Sequence, residues 1–137
     1  MIEINYIGDF ILNEVEELKS WVDFTVDQEG KDLGEVNYIF CDDDYLNEIN
    51  RNILNHNTLT DIISLDYSVG NLISGDIYIS VERVKANADE LEVTFRDELH
   101  RVMIHGILHY CGYSDKETDD IKTMRSKEDY YLSLRTF

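Results

Sequence analysis

Four short stretches in which apolar and polar residues alternate predict four β-strands. The first is residues 2–7 (IEINYI), and the second is residues 35–41 (EVNYIFC). Two more are residues 61–67 (DIISLDY) and residues 76–80 (DIYIS), which are separated by a loop containing glycine. The chain has no proline, so the breaks between elements are expected at Gly, Asn and Asp.

Elsewhere apolar residues recur every three or four positions, which predicts helices. Four of these segments are residues 11–29, a turn and short helix within 41–53, residues 81–90 and residues 117–134. The mixed order of strands and helices indicates one compact α+β domain that spans residues 1–137.

The strongest helical pattern covers residues 95–111. Thr94 followed by Asp97 is an acidic variant of the capping box, and Gly112 stands where a left-handed residue ends a helix. Apolar side chains cover most of the circumference of this segment. The pattern therefore predicts a helix buried in the middle of the domain.

Composition supports one globular domain. The chain has 137 residues, of which 43% are hydrophobic, and this is enough to form a core. No stretch approaches the roughly 18 apolar residues of a membrane helix. The start, MIEINYIGDF, has no basic segment followed by an apolar run. We therefore expect a cytoplasmic protein with no membrane partner, in which Cys41 and Cys111 are reduced, buried thiols.

The formal net charge of −17 predicts that the molecule as a whole repels nucleic acid. The charge is unevenly distributed. Residues 1–80 hold 3 basic and 17 acidic side chains, whereas residues 81–137 hold 9 basic and 12 acidic ones. A local basic patch can therefore form in the second part of the chain.

The candidate chemistry lies in residues 105–115 (HGILHYCGYSD). His105 and His109 are four residues apart, so on a helix their imidazoles can bind one ion. Gly112 lets the chain turn back, and Asp115 can then bring a carboxylate to the same ion. Two histidines and a carboxylate leave a position for water, as in catalytic zinc sites. The histidines could instead be partly exposed, or bonded to carbonyl groups without a metal.

The other polar residues near this segment are weaker candidates. His100 lies about 140° around the helix from His105, so it is expected to be a structural or surface residue. His56, in the loop NHNTLTD, is interpreted as a turn residue, with a role in a cleft as the alternative. Glu98 shares a helical stripe with His105 and could line the cavity or support a ligand, or instead form a buried ion pair or a cap contact. Cys111 points to a different helix face and is not expected to bind metal.

A zinc metalloprotease is disfavoured by one position. Its helix would read H-E-x-x-H, with the glutamate as general base. Gly106 occupies the place of that glutamate, so the base of a protease is missing.

The run HGILHYCGYSD resembles the signature H-G-x-L-H-x-x-G-Y-x-H of the YbeY family of bacterial endoribonucleases, which mature ribosomal RNA. The matching positions are His105, Gly106, Leu108, His109, Gly112 and Tyr113. The segments DELHRVMIHG, GDIYIS and LTDIISLDY resemble further family segments in the same order and with the same spacing. The likeness covers about residues 35–132.

The resemblance implies a central four-stranded mixed sheet with about five surrounding helices and a metal in a cleft. It implies a metal-dependent, single-strand-specific endoribonuclease that acts in 16S ribosomal RNA maturation and in ribosome quality control. The implied partners are ribosomal RNA and proteins of the small ribosomal subunit. The cations that could guide RNA to the cleft are Arg96, Arg101, Lys116, Lys122, Arg125 and Lys127.

One departure from the family concerns the metal. The third histidine of the family falls at Asp115, so the resemblance assigns the metal to His105, His109 and Asp115. The expected cofactor is one zinc ion per chain. A carboxylate is a harder donor than imidazole, which makes other divalent metals more plausible.

A second departure concerns an arginine that is thought to serve catalysis or phosphate binding in the family. Leu54 occupies its position, and Arg51 lies three residues earlier. Arg51, Glu98 and His56 are the candidates for supporting a metal-bound water.

Two other functions stay open at this point. Leu54 and the negative charge favour a non-catalytic ribosome assembly factor with a structural metal. The same site could also serve a metal-dependent hydrolase of another substrate. The sequence carries no indication of the oligomeric state.

Overall fold

A computed structural model describes residues 1–52 and 60–137 of the chain. The strands in these residues are β1 (Ile2–Tyr6), β2 (Asp32–Cys41), β3 (Ile62–Asp66) and β4 (Leu72–Ser80). The helices are α1 (Val15–Gln28), α2 (Asp43–Asn52), α3 (Val81–Leu91), α4 (Phe95–Tyr110) and α5 (Thr118–Ser133). No helix in the described ranges is long and apolar enough to cross a bilayer.

The four strands form one mixed sheet in the order β1-β2-β4-β3. β1 pairs with β2, and β2 with β4, in parallel, whereas β3 is an antiparallel edge strand beside β4. This arrangement confirms the predicted α+β fold with a central four-stranded mixed sheet and five helices. The antiparallel edge follows from the short connection between β3 and β4, because parallel neighbours need a longer crossover.

β2 and β4 begin earlier than the sequence pattern predicts. Both strands contain a glycine, Gly34 and Gly75, which interrupts the alternation of apolar and polar side chains. The two strands approach closely here, since a Cβ at Gly34 would lie 2.4 Å from Ser74 Oγ. The register of the β2–β4 pair also shifts between Leu33 and Val36. Glycine at such a close approach is typical of strand irregularities.

Helix α1 begins at Val15 and not at residue 11. Glu14, the residue before it, has a left-handed backbone with φ of 60°, so the helix cannot extend through it. Leu12 is buried, although it precedes the helix. The apolar spacing therefore included a core residue that belongs to the preceding loop.

Helix α4 forms the centre of the core, as its apolar circumference predicted. It packs against the sheet and between α3 and α5. Thr94 Oγ1 accepts a hydrogen bond from the backbone N–H of Asp97 (3.1 Å), which confirms the predicted start of the helix. Gly112, with φ of 106°, follows its last turn, as predicted. Because α4 is held on several sides, the histidines in its last two turns stand on a rigid support.

Both cysteines are free thiols. Cys41 is buried, as predicted, and Cys111 is only partly buried. Burial raises the pKa of Cys41 to about 12 and that of Cys111 to about 11. Both side chains therefore stay protonated at neutral pH and are poor metal ligands.

Candidate metal centre

The three residues predicted as metal ligands lie together at the C-terminal end of α4. His105 Nε2 and His109 Nε2 are 2.9 Å apart. Asp115 Oδ2 lies 3.3 Å from the first of these nitrogens and 3.4 Å from the second. Ligand atoms bonded tetrahedrally to one zinc ion at about 2.0–2.1 Å would be about 3.3–3.4 Å apart. The two distances to Asp115 match this spacing, whereas the distance between the two nitrogens is shorter. The three atoms lie close enough together to hold one small cation.

The other ring nitrogens of the two histidines indicate their tautomers. His105 Nδ1 lies 2.6 Å from Glu128 Oε2, and His109 Nδ1 lies 3.0 Å from the backbone oxygen of Tyr113. A carboxylate and a carbonyl accept hydrogen bonds, so each Nδ1 carries the proton in the neutral ring. Both Nε2 lone pairs then face each other beside the carboxylate of Asp115. Such a set of donor atoms fits a divalent metal.

The turn after α4 brings Asp115 back to the histidines. The N–H of Gly112 bonds to His109 O (3.0 Å), and the N–H of Tyr113 bonds to Leu108 O (3.1 Å). The Tyr113 hydroxyl donates to Glu29 Oε1 at 2.7 Å, which ties the turn to the end of α1. These contacts anchor the turn at Tyr113, whose carbonyl group holds His109.

Glu29 is the anchor of this turn. Its carboxylate also accepts a hydrogen bond from the Tyr131 hydroxyl and lies 3.4 Å from Lys127 Nζ. Burial raises the pKa of Glu29, but the two tyrosine hydrogen bonds and the Lys127 charge outweigh it and leave the pKa lowered. Glu29 is therefore ionised at neutral pH and joins α1, α5 and the turn.

The metal centre opens into a cleft of about 900 Å³ between β3, α4 and α5. Five carboxylates line it among the described residues: Asp61, Asp66, Glu98, Asp115 and Glu128. The cations of this described lining are Arg101, Lys116 and Arg125. With all five carboxylates ionised and both histidines neutral, these side chains carry a net charge of −2. A divalent cation at the centre would balance that charge.

Two carboxyl groups of the cleft wall have raised pKa values. Burial raises the pKa of Asp61, and burial together with the charge of Asp61 raises the pKa of Glu98. Each can therefore hold a proton closer to neutral pH than an ordinary carboxyl group can. Such groups are common where acid–base chemistry occurs.

The amino-acid sequence also matches a protein family. The family model described as Endoribonuclease YbeY matches residues 8–135. The chain belongs to the YbeY endoribonuclease family. The resemblance inferred from HGILHYCGYSD is therefore confirmed over nearly the whole chain.

Individual YbeY relatives cover similar lengths. A Flavobacterium psychrophilum protein named Endoribonuclease YbeY is 58% identical over 134 residues, which cover 98% of this chain and 96% of that protein. A Cytophaga hutchinsonii protein of the same name is 48% identical and covers 92% and 89%. The solution structure of TM1509 from Thermotoga maritima matches with a TM-score of 0.71 and 31% identity, over 97% of this chain and 87% of that one.

Gly106 of the YbeY signature faces the sheet. A Cβ at this position would lie 3.1 Å from Ile77 Cδ1 and 3.2 Å from Ile62 Cδ1. The glutamate of a metalloprotease helix would therefore be pressed against the sheet. This packing gives a physical reason for the sequence argument against a protease.

The supporting residues predicted for the YbeY site are distributed differently. Glu98 lines the cleft and is only 6% exposed. Arg51 is exposed on the last turn of α2 and does not line the cleft that the described residues form. Leu54 and His56 lie outside the described residues, so the statements about them stay predictions.

His100 is a structural residue, as its position on the helix predicted. It is 2% exposed, and its Nδ1 accepts a hydrogen bond from Arg135 Nη1 at 2.8 Å. Its ring packs against those of Trp21 and Phe137. It lies among aromatic residues and not in the cleft.

Only half of the predicted RNA-guiding cations reach the cleft. Arg101, Lys116 and Arg125 line it. Arg96 instead pairs with Glu14 at 2.9 Å, and Lys127 belongs to the Glu29 anchor. Lys122 is exposed and is not part of the described cleft wall. Sequence position did not separate these groups, because a helix presents consecutive cations in different directions.

Sequence reasoning missed Glu128. This acidic residue shares the buried face of α5 with Met124 and Tyr131, at helical spacing from both. A carboxylate within an otherwise apolar stripe is a signal for a buried partner. Its partner could not be named from sequence, because His105 lies 23 positions away on another helix.

Proposed function

We propose that this chain is a metal-dependent endoribonuclease that cuts single-stranded segments of ribosomal RNA in the cytoplasm. It would act in the maturation of small-subunit ribosomal RNA and in ribosome quality control, with ribosomal RNA and small-subunit proteins as partners. The main observation is the convergence of His105 Nε2, His109 Nε2 and Asp115 Oδ2 in an open cleft. Membership of the YbeY endoribonuclease family supports the nature of the reaction.

The residues of the cleft suit phosphodiester hydrolysis. His105, His109 and Asp115 would hold the metal, which supplies Lewis acidity for the attack of water on phosphorus. Glu98 and Asp61 can accept or return protons, because burial raises their pKa. Lys116 and Arg125 of the cleft wall can attract the phosphates that flank the cut.

Zinc fits the two imidazoles, and the carboxylate of Asp115 also admits harder divalent metals. Metal analysis of the purified protein beside Asp115→Ala and His109→Ala tests the centre. We expect about one metal per chain in the wild type, little in His109→Ala and less than wild type in Asp115→Ala. Asp119→Ala is the matched control, because it removes an exposed carboxylate of the same segment. Equal metal content in all four proteins would contradict the proposed ligands.

An assay of RNA cleavage tests the activity itself. Metal-loaded wild type should cut single-stranded regions of ribosomal RNA, and His109→Ala should not. A family member with three histidine ligands serves as the positive control in the same assay. If that relative cuts and the metal-loaded wild type leaves the RNA intact, the proposed activity is wrong for this chain.

A non-catalytic assembly factor is the second candidate, because carboxylates outnumber cations in the cleft. In that case the metal stabilises the fold, and the acidic first part of the chain meets basic ribosomal proteins. Ile121→Trp, on the exposed cleft wall, should obstruct the cleft and keep the metal ligands. Rescue of ribosome maturation by Ile121→Trp would favour this role over the nuclease. Activity on a small phosphate or amide instead of RNA would indicate a hydrolase of another substrate.

A further inference from the structure

Glu128 is a buried carboxylate on α5 that faces α4, and it is 4% exposed. Its Oε2 lies 2.6 Å from His105 Nδ1. Its Oε1 accepts a hydrogen bond from Arg101 Nη1 at 2.8 Å and lies 3.6 Å from Arg125 Nη1. The two oxygens therefore have different partners, an imidazole on one side and guanidinium groups on the other.

We propose that Glu128 is a positioning residue for the metal centre. It accepts a hydrogen bond from the Nδ1–H of His105, which keeps the Nε2 lone pair free and directed at the ion. Arg101 in turn holds Glu128 in the orientation that this contact requires. The inference rests on the metal binding proposed above. Carboxylates that hold the distal nitrogen of a metal-bound histidine orient the ring and raise its basicity.

The two histidines differ in how they are held. His109 is held by the carbonyl group of Tyr113, which belongs to a turn. His105 is held by a charged group on a neighbouring helix, and hydrogen bonds to charged groups are shorter and stronger. His105 thereby becomes the better oriented ligand, and its orientation depends on the packing of α4 against α5.

An isosteric amide separates this role from simple packing. In Glu128→Gln, Arg101 still requires an oxygen as its acceptor, so the side-chain NH₂ group turns toward His105. An NH₂ group cannot accept a hydrogen bond from Nδ1–H, so the imidazole then carries its proton on Nε2. The shape of the side chain is conserved, whereas the nitrogen that faces the metal loses its lone pair.

Asp129 provides a matched control. Its Oδ1 accepts a hydrogen bond from Arg101 Nη2 at 2.6 Å, so it shares the guanidinium with Glu128. No contact joins Asp129 to His105 among the described residues. Asp129→Asn therefore removes one negative charge beside Arg101, as Glu128→Gln does, but it leaves Glu128 as the partner of His105.

The experiment measures zinc affinity by competition with a chelator. Wild type and Asp129→Asn should bind alike, and Glu128→Gln should bind roughly 10–100-fold more weakly. Equal affinity in Glu128→Gln and wild type, or equal losses in Glu128→Gln and Asp129→Asn, would overturn the inference. If the wild type itself does not bind zinc, the proposed metal function fails first and this inference fails with it.

A second variant keeps the test valid if Glu128→Gln does not fold. The double variant Arg101→Met, Glu128→Gln removes both charges of the ion pair. Without Arg101 to bind it, the amide oxygen can turn to His105. Its zinc affinity should exceed that of Glu128→Gln, and nitrogen NMR of the metal-free protein at alkaline pH should show His105 protonated on Nδ1. Where Glu128→Gln is unfolded, the double variant is compared with Arg101→Met alone. An Nε2-protonated His105 in the double variant or in the wild type would contradict the proposed role.

Discussion

At the scale of single residues, the burial of His100 makes the fold less stable at low pH. Burial lowers its pKa to about 4, and the charges of Arg135 and Arg96 act in the same direction. The unfolded chain binds a proton near the ordinary value of 6.5, whereas the folded chain does not until lower pH. The stability that depends on neutral His100 is therefore complete above pH 6.5 and is lost as the pH falls toward 4.

We predict that His100→Asn weakens this pH dependence. The amide oxygen can accept the hydrogen bond from Arg135, and the side chain does not titrate. Between pH 7 and pH 5 the wild type should lose about 2 kcal/mol of unfolding free energy more than the variant. Urea unfolding of the metal-free proteins at both pH values measures the difference. Parallel losses in the two proteins would show that His100 does not cause the acid sensitivity.

Asp115 decides the metal preference in our second prediction. Asp115→His replaces a hard oxygen donor by an imidazole and removes one negative charge from the cleft. We expect a higher preference for zinc over magnesium and manganese, because imidazole suits zinc and carboxylate suits the harder ions. Competition between metals during equilibrium dialysis measures the preference. Asp119→His, at a neighbouring exposed position, should leave it unchanged.

At the scale of elements, the last turn of α4 contacts the sheet through Tyr110, and a glycine in β4 leaves room for this contact. The Tyr110 hydroxyl lies 3.0 Å from Leu65 O and 3.1 Å from Asp76 O, the backbone acceptors of β3 and β4. A Cβ at Gly75 would lie 2.4 Å from both the Tyr110 hydroxyl and Leu65 O. The absence of a side chain at Gly75 thus lets the histidine-bearing helix reach the edge of the sheet.

Our third prediction is that Gly75→Ala destabilises the fold by roughly 1–3 kcal/mol through overpacking. Tyr110→Phe removes the hydroxyl and leaves the backbone in place, so it should cost only about 1 kcal/mol. Thermal and urea unfolding of the two variants give the comparison. Wild-type stability in Gly75→Ala would mean that the strand and Tyr110 can move apart without cost.

At the scale of the whole molecule, the negative net charge of the protein opposes binding of RNA, the proposed substrate. The chain carries a net charge of −17, and the described cleft wall is itself negative without a metal. Each unit charge close to a phosphate contributes about 1 kcal/mol in water. Two charges from a divalent ion therefore have a large effect on the affinity for RNA.

Our fourth prediction is that chelation weakens binding of single-stranded RNA by roughly tenfold or more at low salt. Fluorescence anisotropy with a labelled oligonucleotide, at two ionic strengths, measures the affinity and its dependence on salt. Restoring the metal should restore the affinity. Equally tight binding with and without metal would place the RNA outside the cleft.

The fifth prediction compares two lysines of the same charge. Lys116 lines the cleft, whereas Lys122 is exposed outside its described wall. Lys116→Ala should weaken RNA binding across sequences and reduce the salt slope by about one, because one phosphate contact is lost. Lys122→Ala should leave both quantities close to wild type. If both variants lose affinity equally, RNA is attracted by the electrostatic field of the whole surface and not by the cations of the cleft.

The sequence by itself determined the order of strands and helices, because side-chain periodicity reports which face of each element is buried. It also brought His105, His109 and Asp115 into one hypothesis, because one helical turn and one glycine separate them. Local rules were less accurate at element ends. The prediction began α1 too early because Leu12 fits the apolar spacing of the helix. It began β2 too late because Gly34 interrupts the alternation of apolar and polar residues.

Only the tertiary structure decided which distant groups meet. Glu128 reaches His105 because α5 packs on α4, and Asp61 enters the cleft because β3 lies at the edge of the sheet. The same packing sends Lys127 to Glu29 and leaves Lys116 at the cleft. Sequence periodicity describes one element at a time. The electrostatic field and the hydrogen bonds around a metal depend on atoms from several elements. These atoms come close to one another only when the chain folds.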